Sequence, residues 1–137
     1  MLQYNESENI WRIQKGTYIC MMTTQDTNVF KLLEYYTKAL INLYGMHLKS
    51  IILYGSYARG DYTKDSDIDI MILLDMSDLE IKEYRHELSG LTYDFNMDYG
   101  LDIKPIAKSE CHFKKWLEVY PFYSNVAEEG VRLFEAA

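Results

Sequence analysis

Two aspartates, Asp67 and Asp69, stand one residue apart at the start of an otherwise apolar run that extends to residue 74. The run is rich in β-branched residues and has the length of a strand, so it predicts a strand over residues 67–74. Because side chains on a strand alternate between its faces, both carboxylates are expected to point the same way, about 6.6 Å apart along the strand. Carboxylates this close repel each other unless water or a cation lies between them, and Mg²⁺ prefers such oxygen ligands. The pair therefore indicates a divalent-metal site.

A small-residue turn, Gly55-Ser56, lies ten residues before the aspartate pair and directly follows residues 49–54, which have the character of a short buried strand. Glycine lets the backbone turn tightly and lets a ligand approach closely. Backbone N–H groups at such a turn can bind an anion, and the Ser56 hydroxyl can donate to a phosphate oxygen. Arg59 follows, and a guanidinium there could hold a phosphate through two parallel hydrogen bonds. This half of the motif predicts a phosphate site.

Neither half is specific alone, since Gly-Ser is a common turn and Asp-x-Asp is common at solvated strand ends. Together they form the pattern G-S-x10-D-x-D between two strands, which resembles that of the nucleotidyltransferase superfamily that includes DNA polymerase β. The short chain and the segment from Gly55 to Ile70 look most like the minimal nucleotidyltransferases of that superfamily. These are often encoded beside a HEPN-domain ribonuclease toxin and act as its antitoxin. The resemblance covers roughly residues 27–134.

The superfamily carries a third carboxylate on a later strand, and the resemblance implies one in this chain. Asp102 is the preferred residue because it lies within the alternating apolar run 101–106, which predicts a strand. Its side chain would face away from the apolar residues of the run and could join the first two carboxylates. Asp94 and Asp98 are nearby competitors, although Asp98 has the character of a turn residue.

The resemblance also implies a mechanism, in which AMP moves from ATP to a hydroxyl group and pyrophosphate leaves. Two Mg²⁺ ions would clamp the reacting phosphate. Asp67 and Asp69 would bind both ions, while Asp102 would bind the ion that activates the acceptor hydroxyl. Gly55 and Ser56 would hold the β- and γ-phosphates, with support from the arginine that follows them.

By the same resemblance, the acceptor is expected to be a tyrosine of a HEPN ribonuclease toxin, and its AMPylation would silence the toxin. At 137 residues, the chain has no obvious second domain for a sizeable small molecule or for a nucleic-acid template, which favours an acceptor delivered by a partner protein. Two alternatives remain. One is an adenylyltransferase that modifies an aminoglycoside-type small molecule, and the other is an antitoxin that blocks its partner by occlusion, without chemistry.

The composition is typical of one soluble domain, with 48% hydrophobic and 26% charged residues. The net charge of −7 disfavours binding to a nucleic-acid backbone, so no template is expected. No apolar run reaches the ~18 residues of a membrane span. Cys20 and Cys111 lack the spacing of a disulfide framework, so we expect a cytoplasmic protein with reduced thiols. Residues 1–22 do not resemble the family, which predicts an N-terminal extension before a nucleotidyltransferase domain at 23–137.

The elements that would position these residues alternate between helix and strand, a pattern typical of an α/β protein. The resemblance adds a small mixed β-sheet flanked by helices, with the site at one edge, as in the polymerase β-like nucleotidyltransferase fold. The remaining predicted elements are a helix at 27–44, a helical turn at 57–59, a helix that a capping box opens at 77–80, a strand at 101–107, helices at 112–118 and 122–129, and an apolar tail at 131–134.

Aromatic side chains cluster near the C-terminus, at Trp116, Tyr120, Phe122 and Tyr123. Such a cluster more often belongs to a core or to a contact surface than to a platform that stacks on bases. If it is exposed, it is the first candidate for the contact with a partner protein.

Overall fold

The computed structural model describes residues 3–5, 10–12, 18–19 and 24–136. The first three of these segments are short strands, β1 (Gln3–Asn5), β2 (Ile10–Arg12) and β3 (Tyr18–Ile19), which pair antiparallel in that order. The predicted N-terminal extension, residues 1–22, lies partly outside the described residues. Its division from the domain that follows stays a prediction.

A four-stranded mixed sheet organises residues 24–136. Its strands are β4 (Leu48–Tyr54), β5 (Ile68–Leu74), β6 (Ile103–Ser109) and β7 (Val131–Glu135), in the order β6-β5-β4-β7. β4 pairs antiparallel with both β5 and β7, whereas β5 and β6 run parallel. The predicted α/β class with a small mixed sheet is confirmed.

The C-terminal strand β7 corrects the sequence analysis, which predicts only an apolar tail there. β7 pairs with β4, where Ile51 lies opposite Phe134 and Ile52 lies opposite Arg132. The segment is too short to show a strand period by itself. Its conformation is decided by hydrogen bonds to a strand that is distant in the sequence, because pairing and burial outweigh local preference.

Helices flank the sheet. In chain order they are α1 (Thr24–Tyr44), the 3₁₀ turn Gly45–His47, α2 (Ser56–Arg59), α3 (Asp78–Glu83), α4 (Arg85–Tyr99), α5 (Glu110–Lys115) and α6 (Pro121–Glu129). None of the helices in the described part of the chain has the length and apolar character that crossing a membrane requires.

The long helix predicted after the capping box is two helices, α3 and α4. Ser77 and Glu80 form the predicted box, and the side chain of each accepts a hydrogen bond from the backbone N–H of the other. The helix then breaks at Tyr84, whose N–H makes a tighter, 3₁₀-type bond to the carbonyl of Ile81. The Tyr84 ring packs against Tyr44 of α1, with 5.3 Å between the ring centroids. A tertiary contact of this kind leaves no trace in helical periodicity.

Both faces of β5 are buried. On one face, the residues that pack against α1 and α4 are Ile68, Ile70, Ile72 and Leu74. On the other face, a second cluster joins β4, β5, α5 and α6 through Ile52, Met71, Leu73, Phe113, Tyr123 and Val126. A shift of β5 by one residue would exchange the two faces and turn Asp69 toward α1. Two cores therefore fix the register of the strand that carries the candidate metal ligands.

Candidate active site

Asp67 and Asp102 lie side by side at the ends of two parallel strands. β5 and β6 pair Ile68 with Ile103, so the residues that precede these two are also neighbours. The Ile68 N–H donates to the Asp102 carbonyl oxygen at 2.9 Å. The carboxyl groups of the two aspartates share a hydrogen bond. The preferred third carboxylate is therefore in contact with the first.

Asp69 lies two residues beyond Asp67 on β5 and is partly buried. Strand alternation gives both side chains the same direction. The structure thus brings together, on one face of two adjacent strands, the three carboxylates that the sequence predicts for the site. The competing candidates Asp94 and Asp98 are exposed residues of α4. The expectation that Asp98 is a turn residue is wrong, because α4 continues to Tyr99 and the turn falls at Gly100.

Gly55 faces Asp69 across β4 and β5. Tyr54 is the register partner of Asp69, so the glycine follows directly at the end of the strand. Its φ of 76° and ψ of −153° fall in a region that only glycine adopts readily. A Cβ atom at this position would collide with the Asp69 carboxylate. The glycine is therefore needed both for the turn and for the room that the carboxylate occupies.

The chain turns into α2 directly after Gly55. The Gly55 carbonyl accepts hydrogen bonds from the N–H groups of Ala58 and Arg59, both at 3.1 Å. Ser56 is the first residue of this helical turn and is partly exposed. The Gly-Ser backbone therefore stands beside Asp69, as expected for a phosphate site next to a metal site.

Arg59, the predicted support for a phosphate, is held by two carboxylates. Its Nε donates to Asp61 and its Nη1 donates to Glu129, both at 3.3 Å. The second bond ties α2 to α6. The Arg59 side chain is 45% exposed, so solvent surrounds these ion pairs. A phosphate bound by this guanidinium would compete with them.

Lys104 belongs to the cluster, although the sequence analysis does not single it out. Its ammonium donates to Oδ2 of Asp67 at 2.8 Å. It is the register partner of Asp69 and lies two residues beyond Asp102 on β6, so it shares the face of all three aspartates. The strand period could have found it, because the alternation that turns Asp102 toward the site turns Lys104 the same way.

The three aspartates of this cluster differ in the direction of their pKa shifts. Hydrogen bonds from the Lys104 ammonium, and then from Asp102, hold the pKa of Asp67 below its usual range. The hydrogen bond with Asp67 raises the pKa of Asp102, because a proton on Asp102 is needed to donate to Asp67. Burial, and next the charge of Asp67, raises the pKa of Asp69. The Lys104 ammonium offsets part of the negative charge of the three carboxylates.

The donor chemistry of the cluster fits Mg²⁺, which prefers hard carboxylate oxygens. Within residues 24–136, no three His, Cys, Asp or Glu side chains stand as a ready-made metal site. Mg²⁺ commonly binds through one or two protein carboxylates and completes its shell with water and substrate phosphates. Asp67 and Asp102 are adjacent and accessible to solvent, so they can serve such an ion, with Asp69 on the same face.

The aromatic cluster near the C-terminus is partly exposed beside the site. Tyr120 and Phe122 are each 44% exposed, and we call these two side chains the aromatic surface. Of the other two predicted members, Tyr123 is buried and Trp116 is partly buried. The Phe122 ring packs on Tyr54, with 5.6 Å between centroids, and Tyr54 is the register partner of Asp69. Phe122 of the aromatic surface is therefore linked to Asp69 through Tyr54.

Comparison with known proteins gives a family match over most of the chain. Residues 33–132 match a family model described as a nucleotidyltransferase domain. The "Putative protein adenylyltransferase MJ0604" of Methanocaldococcus jannaschii is 38% identical over 107 residues, which cover 78% of this chain and 99% of the relative. From the same organism, "Putative protein adenylyltransferase MJ0141" is 28% identical over 105 residues, 77% of this chain and 98% of the relative.

Among solved structures, the fold is similar to the crystal structure of a "putative nucleotidyltransferase" from Sulfolobus solfataricus. The TM-score is 0.55, and the match covers 80% of this chain and 83% of the other. The sequences are 18% identical, so this likeness concerns the fold alone.

Proposed function

The chain belongs to the nucleotidyltransferase domain family, and on this premise we propose that it transfers AMP from ATP to a hydroxyl group of a protein, with Mg²⁺ as the metal. One observation carries the proposal: Asp67, Asp69 and Asp102 lie on one face of two adjacent strands, and the Gly55-Ser56 turn lies beside Asp69. The names of the relatives support a protein as the acceptor. Residues 23–137 would form the catalytic domain.

Asp67 and Asp69 would hold two Mg²⁺ ions, and Asp102 would bind the ion nearer the acceptor hydroxyl. When bound, such ions neutralise the charge of the triphosphate and make the attacking hydroxyl more acidic. The chain itself contributes three carboxylates fixed on one face of a sheet that is buried on both sides at β5. Catalysis by positioning needs this rigidity, because a displacement of about 1 Å can cost a hundredfold in rate.

The Gly55-Ser56 turn would hold the β- and γ-phosphates of ATP. Because position 55 lacks a Cβ, a phosphate can approach the backbone next to the carboxylates. The Ser56 hydroxyl would donate to a phosphate oxygen, and the Arg59 guanidinium would support it. Arg59 is paired with Asp61 and Glu129. Exposed pairs of this kind are individually weak, so a phosphate can replace one of them at little cost.

Asp102 would take the proton of the acceptor hydroxyl. The deprotonated oxygen would attack the α-phosphorus of ATP, forming the bond to AMP. The bond between the α- and β-phosphates breaks, and pyrophosphate leaves.

The acceptor that we propose is a tyrosine hydroxyl of a HEPN ribonuclease toxin, so that the chain acts as an antitoxin by AMPylation. Its resemblance to the minimal nucleotidyltransferases supports this choice. The aromatic surface supports delivery of the hydroxyl by a partner protein, since exposed aromatic side chains are typical of protein contacts.

Intact-mass analysis tests the proposal. After incubation with the protein, ATP and Mg²⁺, a candidate HEPN partner should gain the mass of AMP. Asp67→Asn should abolish this gain while its circular dichroism stays that of the wild type. Asp94→Asn is the matched control, because Asp94 is exposed on α4, and it should retain transfer. Wild-type transfer rates in Asp67→Asn would contradict the assignment.

The same variants separate the alternatives. Neutralisation of the toxin that survives Asp67→Asn would favour occlusion without chemistry. Transfer of AMP to an aminoglycoside by the purified protein alone would favour the small-molecule class. Partner-dependent transfer that Asp67→Asn abolishes and Asp94→Asn retains supports protein AMPylation over both.

A further inference from the structure

The aspartate proposed to bind metal is already paired with a cation of the chain itself. The Lys104 ammonium lies 2.8 Å from Oδ2 of Asp67. The lysine side chain is 57% exposed and the aspartate side chain is 39% exposed. A metal ion from solvent can therefore reach the Asp67 carboxylate, but the Lys104 ammonium already occupies one of its oxygens.

The Lys104 ammonium interacts electrostatically with three carboxylates. Asp67, Asp102 and Asp69 all act on Lys104 through their charges. Carboxylates that converge on one site repel each other, so a positive charge among them stabilises the metal-free protein. The same positive charge repels any other cation that approaches. It therefore stabilises the metal-free site and weakens the binding of a metal ion.

We propose that Lys104 is a built-in counter-ion which a divalent cation must displace from Asp67, so that metal loading is an exchange of one cation for another. The inference rests on the proposed function, in which Asp67 is a metal ligand. The flexible four-carbon stem of lysine lets its ammonium withdraw into solvent while the β6 backbone stays in place. Lys104 thereby sets how readily the site takes up a metal before nucleotide arrives.

Calorimetric titration with Mn²⁺ alone, without nucleotide, tests the exchange. Lys104→Met removes the charge and keeps an unbranched side chain. Its Kd for Mn²⁺ should fall about 3- to 10-fold below that of the wild type, because repulsion between a divalent ion and an ammonium is modest at a solvated site. Lys104→Arg keeps the charge and should bind Mn²⁺ no more tightly than the wild type.

Lys108→Met is the matched control. Lys108 lies four residues beyond Lys104 on the same face of β6, at about 13 Å along the strand. Removing its charge changes the net charge by the same amount, but most of its field at the carboxylates is screened. The Kd for Mn²⁺ should therefore stay within about twofold of the wild type.

Thermal unfolding gives a second readout. In EDTA, Lys104→Met should unfold at a lower temperature than the wild type, because the carboxylates lose their counter-ion. Saturating Mn²⁺ should raise the Tm of Lys104→Met by more than it raises that of the wild type, since tighter binding to the folded state stabilises it more. If Lys104→Met does not fold, Lys104→Gln replaces it in both measurements.

Equal or weaker Mn²⁺ binding by Lys104→Met would overturn the counter-ion role. The proposed function would stand in that case if Asp67→Asn abolished Mn²⁺ binding by the wild-type sequence. Mn²⁺ binding that does not depend on Asp67 in either background would contradict both the exchange and the proposed metal site. Failure of the counter-ion role and failure of the proposed metal site therefore give different results in these titrations.

Discussion

The Asp69 carboxylate occupies the space that a Cβ atom would fill at Gly55. This contact joins the end of β4 to the start of β5, where Tyr54 and Asp69 are register partners. The two halves of the sequence motif are therefore one structural unit. Any side chain larger than that of glycine at the turn proposed for phosphate would displace a carboxylate proposed for metal.

Gly55→Ala should abolish most of the activity. The substitution adds strain of about 1–3 kcal/mol, because φ and ψ at this position suit only glycine. It also pushes the Asp69 carboxylate away from its position, and a shift of that size should lower the rate of AMP transfer about 100-fold. Steady-state transfer assays and thermal unfolding measure the two effects separately.

Gly60→Ala is the control for this prediction. Gly60 also has a positive φ, 86°, but nothing lies within 4 Å of a Cβ built there. Alanine should cost about 1 kcal/mol of stability through backbone strain and leave transfer near the wild-type rate. An equal loss of transfer in both variants would assign the effect to the backbone of the turn rather than to the contact with Asp69.

Asp102→Asn should lower AMP transfer about 10²- to 10⁴-fold, the range for loss of a general base. Asparagine can still donate a hydrogen bond to Asp67, so the Tm should change little. Asp98→Asn makes the same chemical change at an exposed position of α4 and should retain activity. If Asp98→Asn is the variant that loses transfer, the third carboxylate has been assigned to the wrong residue.

Asn96 of α4 positions the strand next to Asp102. Its Oδ1 accepts from the Ile103 N–H at 2.9 Å, and its Nδ2 donates to the Ile103 carbonyl at 3.2 Å. Asn96→Ala leaves both backbone groups without this partner and should cost about 1–3 kcal/mol in urea unfolding. Asn125→Ala, at an exposed position of α6, should change the free energy of unfolding by less than about 0.5 kcal/mol. Equal losses in the two variants would contradict a specific role for Asn96.

Tyr36 and Thr92 form a buried hydrogen bond of 2.7 Å between α1 and α4. Tyr36→Phe and Thr92→Val should each destabilise the protein by about 1–3 kcal/mol, because each leaves one buried hydroxyl unsatisfied. The double variant should lose less than the sum, with a coupling of about 0.5–3 kcal/mol. Strict additivity in urea unfolding would show that the bond contributes nothing beyond packing.

The same bond predicts a dependence on pH. Burial raises the pKa of Tyr36, so its hydroxyl stays protonated in the folded protein after an unfolded tyrosine has ionised. The stability that this group contributes should be full below about pH 10 and should decline above it. Unfolding of the wild type and of Tyr36→Phe on both sides of that pH measures the difference, which should shrink at the higher pH.

Local periodicity was sufficient to predict which side chains of β5 share a face at the candidate site. Alternation on β5 correctly predicted that Asp67 and Asp69 share a face and that Ile68, which lies between them, faces a core. It also predicted a strand beside Asp102, which lies directly before β6. These predictions depend only on the period of a strand, which neighbouring residues determine.

The remaining features depend on contacts between distant segments. Strand alternation turns Lys104 to the same face as Asp102, but its pairing with Asp67 follows from the parallel register of β5 and β6, which no local pattern specifies. The break at Tyr84 and the strand β7 likewise depend on partners elsewhere in the chain. Tertiary pairing outweighs local preference at each of these places.

The parallel pairing of β5 with β6 also bears on how the chain folds. Because α3 and α4 lie between these strands, Asp102 can reach Asp67 only after that long connection has closed. Closing such a loop costs entropy before the strands gain their hydrogen bonds, so non-local pairing of this kind is slow. A chain emerging from the ribosome therefore carries its first two aspartates well before the third can join them. Activity should appear only when the whole crossover has been synthesised and packed.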